Sequence, residues 1–327
     1  MDHAALSAAL IARVRGKMSQ AQLSRRLGYA SNVVYLWEQQ RRLPALGVFL
    51  RLAELRRRGV RPALRQFFAL SPLPLSDSVA LGDAASVAAI LRHLARDQST
   101  LELARRTGFD RTTLGRWLRG QTQPRLPDFL CFLEATSLRL LDFVALFADP
   151  AELDATRAAY LEQLERQRLA YELPWSHAVL HALELDAVQA QPRHRSAQLA
   201  AALGLSAEEI DTLLQRLAEA RLIEKHAGRW RPTKMSSVDT RADFAANRGL
   251  KQHWARAALQ RLERLQPGHQ SLFSYNLFPI AAADFARLRQ LHLDYYERVR
   301  QLVAQARHAD HVVVLNVQLC RLDEFAG

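Results

Sequence analysis

Cysteine is scarce in this sequence, with only Cys131 and Cys320 among 327 residues. The two lie far apart and each has apolar neighbours, which is typical of buried thiols in a reducing compartment. No spacing of Cys and His residues predicts a metal site. A Gly-rich nucleotide-binding loop, a Ser/His/Asp arrangement and a carboxylate cluster are also missing, so we expect no enzyme activity and no cofactor.

Long hydrophobic runs are missing as well. No apolar stretch reaches the roughly 18 residues that a membrane span needs, and the N-terminus has no basic leader before an apolar core. We therefore expect a cytoplasmic protein. Its 49% hydrophobic and 24% charged residues are typical of a globular chain, and its length allows two or more domains.

Lysine is rare, because 41 of the 45 basic residues are arginine, and the net charge is +12. The excess is concentrated near the start of the chain. Residues 1–70 contain 13 Arg and Lys but three Asp and Glu, a net charge of +10, whereas residues 71–150 contain nine of each. Such a concentrated cationic segment is typical of a surface that binds a polyanion, and we expect double-stranded DNA and association with the nucleoid.

The first half of the chain contains an internal repeat with a period of 80 residues. A shift by 80 positions aligns a rare Trp, a Gly and a Pro without any gap, which indicates a duplicated module. The identical pairs are Ser19/Ser99, Leu23/Leu103, Arg25/Arg105, Arg26/Arg106, Gly28/Gly108, Trp37/Trp117, Pro44/Pro124, Leu46/Leu126, Phe49/Phe129, Leu50/Leu130 and Glu54/Glu134.

Each copy predicts a small helical bundle. In the first copy, Ser19 is expected to cap a short helix and Gly28 to form the tight turn after it. The next helix should bury Val34 and Trp37. In the second copy, Asp110 is expected to cap the helix that corresponds to it.

The first copy resembles the lambda-repressor-like, Xre-type DNA-binding domain. It has the pattern S-Q-x-x-L-x-x-x-L-G from Ser19, then W-E nine residues after Gly28, then Pro44. The resemblance implies that the second helix of the motif lies in the major groove and that Gln20 binds the phosphate backbone. Gln40 differs from the family, which commonly has glycine after the Trp-Glu pair.

The same resemblance assigns the DNA-binding residues of both copies. The expected readers are Ser31, Asn32, Tyr35 and Leu36 in the first copy and Arg111, Thr112, Gly115 and Arg116 in the second, where Thr100 replaces the Gln. Arginine suits guanine and asparagine suits adenine, so we expect Arg111 or Arg116 on a G and Asn32 on an A. The expected phosphate contacts are Arg25, Arg26, Arg41, Arg42, Arg105, Arg106 and Arg119.

Residues 151–235 predict a connector helix and then three helices with a hairpin whose tip is Gly228. This order resembles a winged helix. Its expected recognition helix begins with Glu208, Glu209 and Asp211, whose carboxylates would repel phosphates. A structural or dimer-forming role is therefore favoured over a third DNA reader, although His226, Arg229 and Arg231 on the wing keep the latter open.

Residues 236–327 predict a small α/β domain. A basic amphipathic helix at 239–266 precedes a strand at 271–278, a helix at 282–306 and a strand at 311–322, and the two strands could share one sheet. Asn276, Asn316 and Gln318 within these strands could satisfy sheet neighbours or touch a ligand.

The region from about residue 138 to the end resembles a bacterial regulator family defined by a C-terminal domain of unknown function after a helix-turn-helix. The segment LNVQLCRL at 315–322 is similar to that family's final strand, L-N-x-Q-L-F-P-L, and residues 214–233 are similar to its L-x-x-L-x-x-x-x-L-I and wing. The resemblance implies no ligand.

Together these observations predict a mainly α fold. It has two tandem five-helix lambda-repressor-like bundles at 1–70 and 71–150, a connector helix and winged-helix-like domain at 151–235, and a small C-terminal α/β domain at 236–327. We expect a sequence-specific DNA-binding transcription regulator that forms a homodimer through its C-terminal half. An unidentified small-molecule or peptide effector stays open. The alternative is a protein-interaction scaffold in which only the first unit touches DNA and the second docks a partner.

Overall fold

A computed structural model describes residues 1–56, 59–68, 79–95, 98–137, 139–193, 195–233, 244–306 and 308–325. Over these residues the chain is mainly α, with seventeen α-helices and a two-stranded sheet, as predicted. It divides into two compact units, Met1–Leu161 and Glu162–Gly327. The predicted domain limits at 70–71 and 235–236 lie outside the described residues.

The first repeat contributes five helices to the N-terminal unit among the residues described. They are α1 (His3–Arg15), α2 (Gln20–Arg26), α3 (Val33–Glu38), α4 (Leu46–Arg56) and α5 (Val60–Phe67). Asp2 caps α1 by accepting hydrogen bonds from the backbone amides of Ala4 and Ala5. Leu10, Ile11 and Val14 on α1 are buried, which matches the apolar stripe of that sequence.

The second repeat, over its described residues, repeats this order. Its helices are α6 (Ala84–Ala95), α7 (Thr100–Thr107), α8 (Arg111–Leu118), α9 (Leu126–Ser137) and α10 (Leu140–Ala145). A 3₁₀ turn, Pro150–Glu152, leads into α11 (Asp154–Glu172), which crosses the limit between the two units.

The two repeats share one hydrophobic core. Phe49 of the first repeat contacts Phe147 of the second at 5.0 Å between ring centroids, and Phe67 contacts Phe143 at 5.9 Å. Gly47 and Gly82 approach so closely that a β-carbon on Gly47 would lie 2.2 Å from the carbonyl oxygen of Gly82. The described residues of Met1–Leu161 therefore form one packed body.

The C-terminal unit has a smaller core. It is built from α12 (Trp175–Ala182), α13 (Asp186–Gln189), α14 (Ser196–Leu203), α15 (Ala207–Glu219) and the antiparallel strands β1 (Ile223–His226) and β2 (Arg229–Pro232). Ala227 and Gly228 between the strands both have positive φ, at 50° and 82°, as a two-residue hairpin requires. The predicted hairpin with Gly228 at its tip is thus present.

Two long helices follow, α16 (Phe244–Glu263) and α17 (Ala282–Gln305). They match the helices predicted at 239–266 and 282–306, although residues 239–243 lie outside the described part of the chain. No helix among the described residues is long and apolar enough to cross a membrane.

The strands predicted at 271–278 and 311–322 are wrong for the chain as described, because neither segment forms a sheet hydrogen bond. Val, Leu, Phe and Tyr favour an extended backbone, but a strand also needs a neighbour and a buried face. Asn316 instead donates from Nδ2 to the carbonyl oxygen of Trp254 at 2.9 Å. The two thiols also differ from the prediction, since Cys131 is only half-buried and Cys320 is exposed.

Candidate nucleic-acid interface

The helix pair α2–α3 of the first repeat is built by local capping. Ser19 accepts a hydrogen bond from the backbone amide of Gln22, and the Gln22 side chain accepts one from the amide of Ser19, which closes a capping box. Gly28 then takes φ +87°, a left-handed backbone that costs little without a β-carbon. The turn predicted from the sequence is therefore confirmed.

Asn32 caps α3 and so uses its carbonyl oxygen. Oδ1 accepts from the backbone amide of Tyr35 at 3.3 Å and lies 3.2 Å from the hydroxyl oxygen of Ser24. Bidentate recognition of adenine needs both the Oδ1 acceptor and the Nδ2 donor. An amide oxygen has two lone pairs, so the cap leaves Asn32 one acceptor position on Oδ1 and both Nδ2 donors, the groups that adenine recognition uses.

Ser24 is a buried residue that sequence reasoning missed. Its hydroxyl donates to the carbonyl oxygen of Gln20 at 2.8 Å and accepts from the backbone amide of Val34 at 3.1 Å. It thereby fixes α2 against the start of α3. A serine between Leu23 and Arg25 in a largely polar helix offered little signal, because a helical Ser more often faces solvent.

Glu38 at the end of α3 forms a second cluster, half-buried, that was not predicted. Its carboxylate accepts from Arg15 Nε at 2.6 Å and from a second Arg15 nitrogen at 3.2 Å. Gln20 Nε2 also donates to it. Because an amide nitrogen carries two hydrogens, the predicted phosphate clamp Gln20 keeps one donor beyond Glu38.

The loop after α3 contains Gln40, which stands where the family commonly has glycine. Gln40 has φ 57°, in the left-handed region, and its repeat counterpart Gly120 has φ 73°. The two loops therefore turn in the same way, although only Gly120 has the residue type that this backbone favours. Gln40 holds the conformation under strain.

The outer face of α3 is exposed, and the segments that adjoin it in sequence are cationic. Ser31 and Asn32 are exposed, Tyr35 is 40% exposed and Leu36 is half-buried, while Val34 and Trp37 are buried as predicted. Four exposed arginines belong to the adjoining segments and make no ion pair within the described residues: Arg25, Arg26, Arg41 and Arg42. Such side chains can contact phosphates without first breaking an internal salt bridge.

Helix α8 is the counterpart of α3 in the second repeat, and we call these two the reading helices. In the register of the repeat, α8 begins two residues earlier than α3. Asp110 caps α8 by accepting from the backbone amide of Thr113 at 2.8 Å, and hydrogen bonds from Thr113 lower the pKa of Asp110. The first copy instead has Ala30 at this position, and α3 is capped by Asn32. Arg111 and Thr112 therefore belong to the first turn of α8, whereas Ser31 and Asn32 precede α3.

The predicted contact residues of the second repeat differ in exposure. Arg105, Arg111, Thr112, Arg116 and Arg119 are exposed and Thr100 is half-buried, whereas Gly115, an expected reader, is buried. Arg119 donates to Gln121 at 3.3 Å. Arg106 is different, because its guanidinium donates to Gln98 at 3.0 Å and to the carbonyl oxygen of Ala135 at 2.5 Å.

Two of the five N–H groups of Arg106 thus bind within the second repeat, and three are left for a phosphate. Its first-repeat counterpart, Arg26, is exposed. Sequence identity between the two positions could not show this difference, because the acceptors of Arg106 lie on other elements.

In the C-terminal unit, the acidic start of α15 is used for capping. Ser206 and Glu209 form a capping box, and hydrogen bonds from Ser206 lower the pKa of Glu209. On the hairpin, Arg229 donates to the carbonyl oxygen of Gln189, while His226 and Arg231 are exposed. Among the described residues, no group of three or more His, Cys, Asp or Glu could hold a metal ion.

A comparison with protein families matches residues 156–322, just over half of the chain, to a domain of unknown function, DUF4423. No curated protein and no solved structure matches the chain. The matched region begins after both repeats.

Proposed function

The chain belongs to the DUF4423 family, whose description names no activity, and we therefore propose its function from the two repeats that precede the matched region. We infer that it is a sequence-specific, double-stranded-DNA-binding transcription regulator. In this proposal both repeats are lambda-repressor-like helix-turn-helix units, and the protein acts in the cytoplasm at the nucleoid, without a catalytic role or a cofactor.

The observation that supports this proposal most directly is the exposed face of α3 and its surroundings. Four arginines there carry charges that no carboxylate neutralises among the described residues. Holding several like charges close together raises the energy of the isolated protein, and a row of phosphates removes that cost. A surface that served only solubility would not need them around one small helix.

The proposed contacts divide into positioning and reading residues. Arg25, Arg26, Arg41, Arg42, Arg105 and Arg119 would position the duplex through phosphates, together with the remaining donor of Gln20. Arg111 and Arg116 would read guanine. Asn32 would read adenine, and Arg106 would contact a phosphate with the N–H groups that Gln98 and Ala135 do not engage.

The helices and hairpin of residues 175–233 would form a winged-helix-like module. We assign it a structural role, because Glu208 is exposed at the start of its α15 and Glu209 is committed to a capping box. Carboxylates at that place oppose a phosphate backbone.

Salt dependence gives the test of DNA binding. We expect affinity of the full chain for a random 30-bp duplex to fall about 10³-fold between 50 and 200 mM KCl, as for a protein that makes about six phosphate contacts. The double variant Arg41→Gln/Arg42→Gln should reduce the slope of log K against log salt by about two. Fluorescence anisotropy measures both quantities.

The matched control removes the same charge elsewhere. Arg248 and Arg264 are exposed on or just after α16, so Arg248→Gln/Arg264→Gln should leave the salt slope unchanged. An equal loss of slope in both double variants would reject a local DNA interface. Binding that does not change with salt would favour the scaffold alternative, because an apolar docking surface is insensitive to screening.

We also propose that the chain forms a homodimer through residues 271–322. This part exposes an unusual amount of apolar surface, including Leu272 at 89%, Tyr275 at 91%, Leu277 at 79% and Val313 at 79%. The segments 271–280 and 311–320 contain no Asp, Glu, Lys or Arg. A second copy offers a neutral, apolar surface of the same kind, as a two-fold interface requires.

The variant Leu272→Asp is expected to weaken such a dimer about 10²- to 10³-fold. Each two-fold interface would bury two unpaired carboxylates, whereas the separate chain would keep them in water. Light scattering after size exclusion should give twice the 37.0 kDa chain mass for the wild type and the single mass for the variant. Leu259→Asp, at a 54% exposed site on α16, is the control. A wild-type chain that is monomeric at micromolar concentration would refute the dimer.

A further inference from the structure

The two repeats meet through a reciprocal contact of equivalent residues. Ala45 and Arg125, which are 80 positions apart and thus correspond in the repeat, form an antiparallel bridge. The backbone amide of Leu46 donates to the carbonyl oxygen of Pro124 at 2.9 Å, and the amide of Leu126 donates to that of Pro44 at 2.8 Å. Each hydrogen bond is the counterpart of the other, which defines a local two-fold axis between Ala45 and Arg125.

The same symmetry extends to the packing of the helices. Helix α1 packs on α9, and its counterpart α6 packs on α4, the counterpart of α9. Helices α4 and α9, which correspond to each other, also touch. A head-to-tail arrangement would not produce such exchanged pairs, so the repeats pack like the subunits of a two-fold dimer within one chain.

This axis lies close to both reading helices. Helix α3 ends at Glu38 and α8 at Leu118, and each is seven residues from the bridge. Seven extended residues span at most about 25 Å. The first loop folds back, because the backbone amides of Arg41 and Arg42 both donate to the carbonyl oxygen of Leu36. The ends of α3 and α8 are therefore less than about 50 Å apart. This limit allows the separation of about 34 Å between successive major grooves.

We propose that a single chain reads one imperfect inverted repeat in DNA, with α3 on one half-site and α8 on the other. This rests on the proposed DNA-binding function and adds the class of site. A two-fold axis between two reading helices requires half-sites in opposite orientation, about one helical turn apart from centre to centre.

The two halves would differ in sequence because the two helices differ. Helix α8 presents Arg111 and Arg116 from within the helix, whereas α3 presents Tyr35 and is preceded by Ser31 and the capping residue Asn32. Arginine favours guanine, so we expect G in the α8 half and another preference in the α3 half. The operator would then have a direction, unlike that of a homodimer made of one such unit per chain.

Phosphate contacts reveal the orientation even when the two halves have unlike bases. The full chain would first select duplexes from a random 30-bp library, and ethylation interference would then map the phosphates that it needs. An inverted arrangement gives interference positions on opposite strands that a dyad relates. A direct arrangement gives positions on the same strand, shifted by the half-site spacing.

Arg25 and Arg105 provide a matched pair of variants, because they occupy the same repeat position and are both exposed. We expect Arg25→Ala and Arg105→Ala each to lower affinity about five- to tenfold. Each should abolish interference in one half only, on opposite strands. The mass of the complex, measured with the Leu272→Asp chain, should correspond to one chain for each pair of half-sites.

The outcomes separate the two proposals. Four outcomes would overturn the inverted-repeat proposal but leave DNA binding intact. They are interference positions shifted along one strand, protection of one half-site alone, two duplexes bound by one chain, and a requirement for two chains per site. Selection that enriches no duplex, together with no salt-sensitive binding to random DNA, would instead reject the DNA-binding function itself.

Discussion

Replacing Phe143 by alanine is expected to lower the free energy of unfolding of the N-terminal unit by about 3–5 kcal/mol. The ring of Phe143 is 2% exposed and contacts three other aromatic rings: Phe67 at 5.9 Å, Phe129 at 5.3 Å and Phe147 at 5.1 Å. Since Phe67 belongs to the first repeat, the cavity would open in a core that both repeats line. We therefore expect the first repeat to lose as much stability as the second.

Hydrogen exchange with mass spectrometry on the full chain can follow the repeats separately. Peptides from α1 and α4 should lose protection by the same free energy as peptides from α6 and α9. Phe143→Leu, which keeps most of the side-chain volume, is the matched control and should cost less than about 2 kcal/mol. Protection lost only in α6–α10 would mean that the repeats unfold independently, and it would remove the rigid two-fold frame on which the inverted-repeat proposal depends.

Local features of the repeats could be predicted well from the sequence. Ser19, Asp110 and Gly28 have roles that depend on neighbours within a few residues, and the capping and turn rules describe such roles directly. The burial of Val34 and Trp37 follows from helical periodicity in the same way. These predictions needed no knowledge of how the helices pack.

The relation between the repeats could not be predicted, because it depends on contacts between residues 80 positions apart. The identity of two segments shows that a module is duplicated, but head-to-tail and two-fold packing have the same sequence signature. Arg106 is a related case, since its acceptors Gln98 and the Ala135 carbonyl become visible only once α7 and α9 are packed. The prediction of strands at 271–278 and 311–322 was wrong because the preference of these residues for an extended backbone does not supply a partner strand.

Glu38 illustrates how a family-like motif can have a structural basis that the pattern does not state. The Trp-Glu pair led to the resemblance, but the role of the acid lies in its buried contacts with Arg15 and Gln20. The side chains of Arg15 and Glu38 are 21% and 10% exposed. The second repeat has Ala95, Thr100 and Leu118 at the three equivalent positions, so only the first reading helix is held in this way.

We expect Glu38→Ala to destabilise the N-terminal unit by about 3 kcal/mol. Removing one partner leaves the guanidinium of Arg15 largely buried without its counter-charge, and this penalty exceeds the net value of the ion pair. The double variant Arg15→Met/Glu38→Met removes both charges and keeps the side-chain volume, so it should be within about 1 kcal/mol of the wild type. Urea denaturation of Arg15→Met, Glu38→Met, the double variant and the wild type closes a double-mutant cycle and measures the coupling, and Glu38→Ala is measured beside them.

The solvent-exposed ion pair of Arg13 and Glu152 in the same unit gives the comparison, and Glu152→Ala should cost less than about 1 kcal/mol. DNA binding then separates a positioning role from mere stability. If the Arg15–Glu38 pair aligns α3 and Gln20 for the duplex, the stable double variant should still bind the α3 half-site more weakly while its contacts in the α8 half are unchanged. Equal weakening in both halves would instead mean that the buried pair acts on the unit as a whole, and unchanged binding would limit its role to folding.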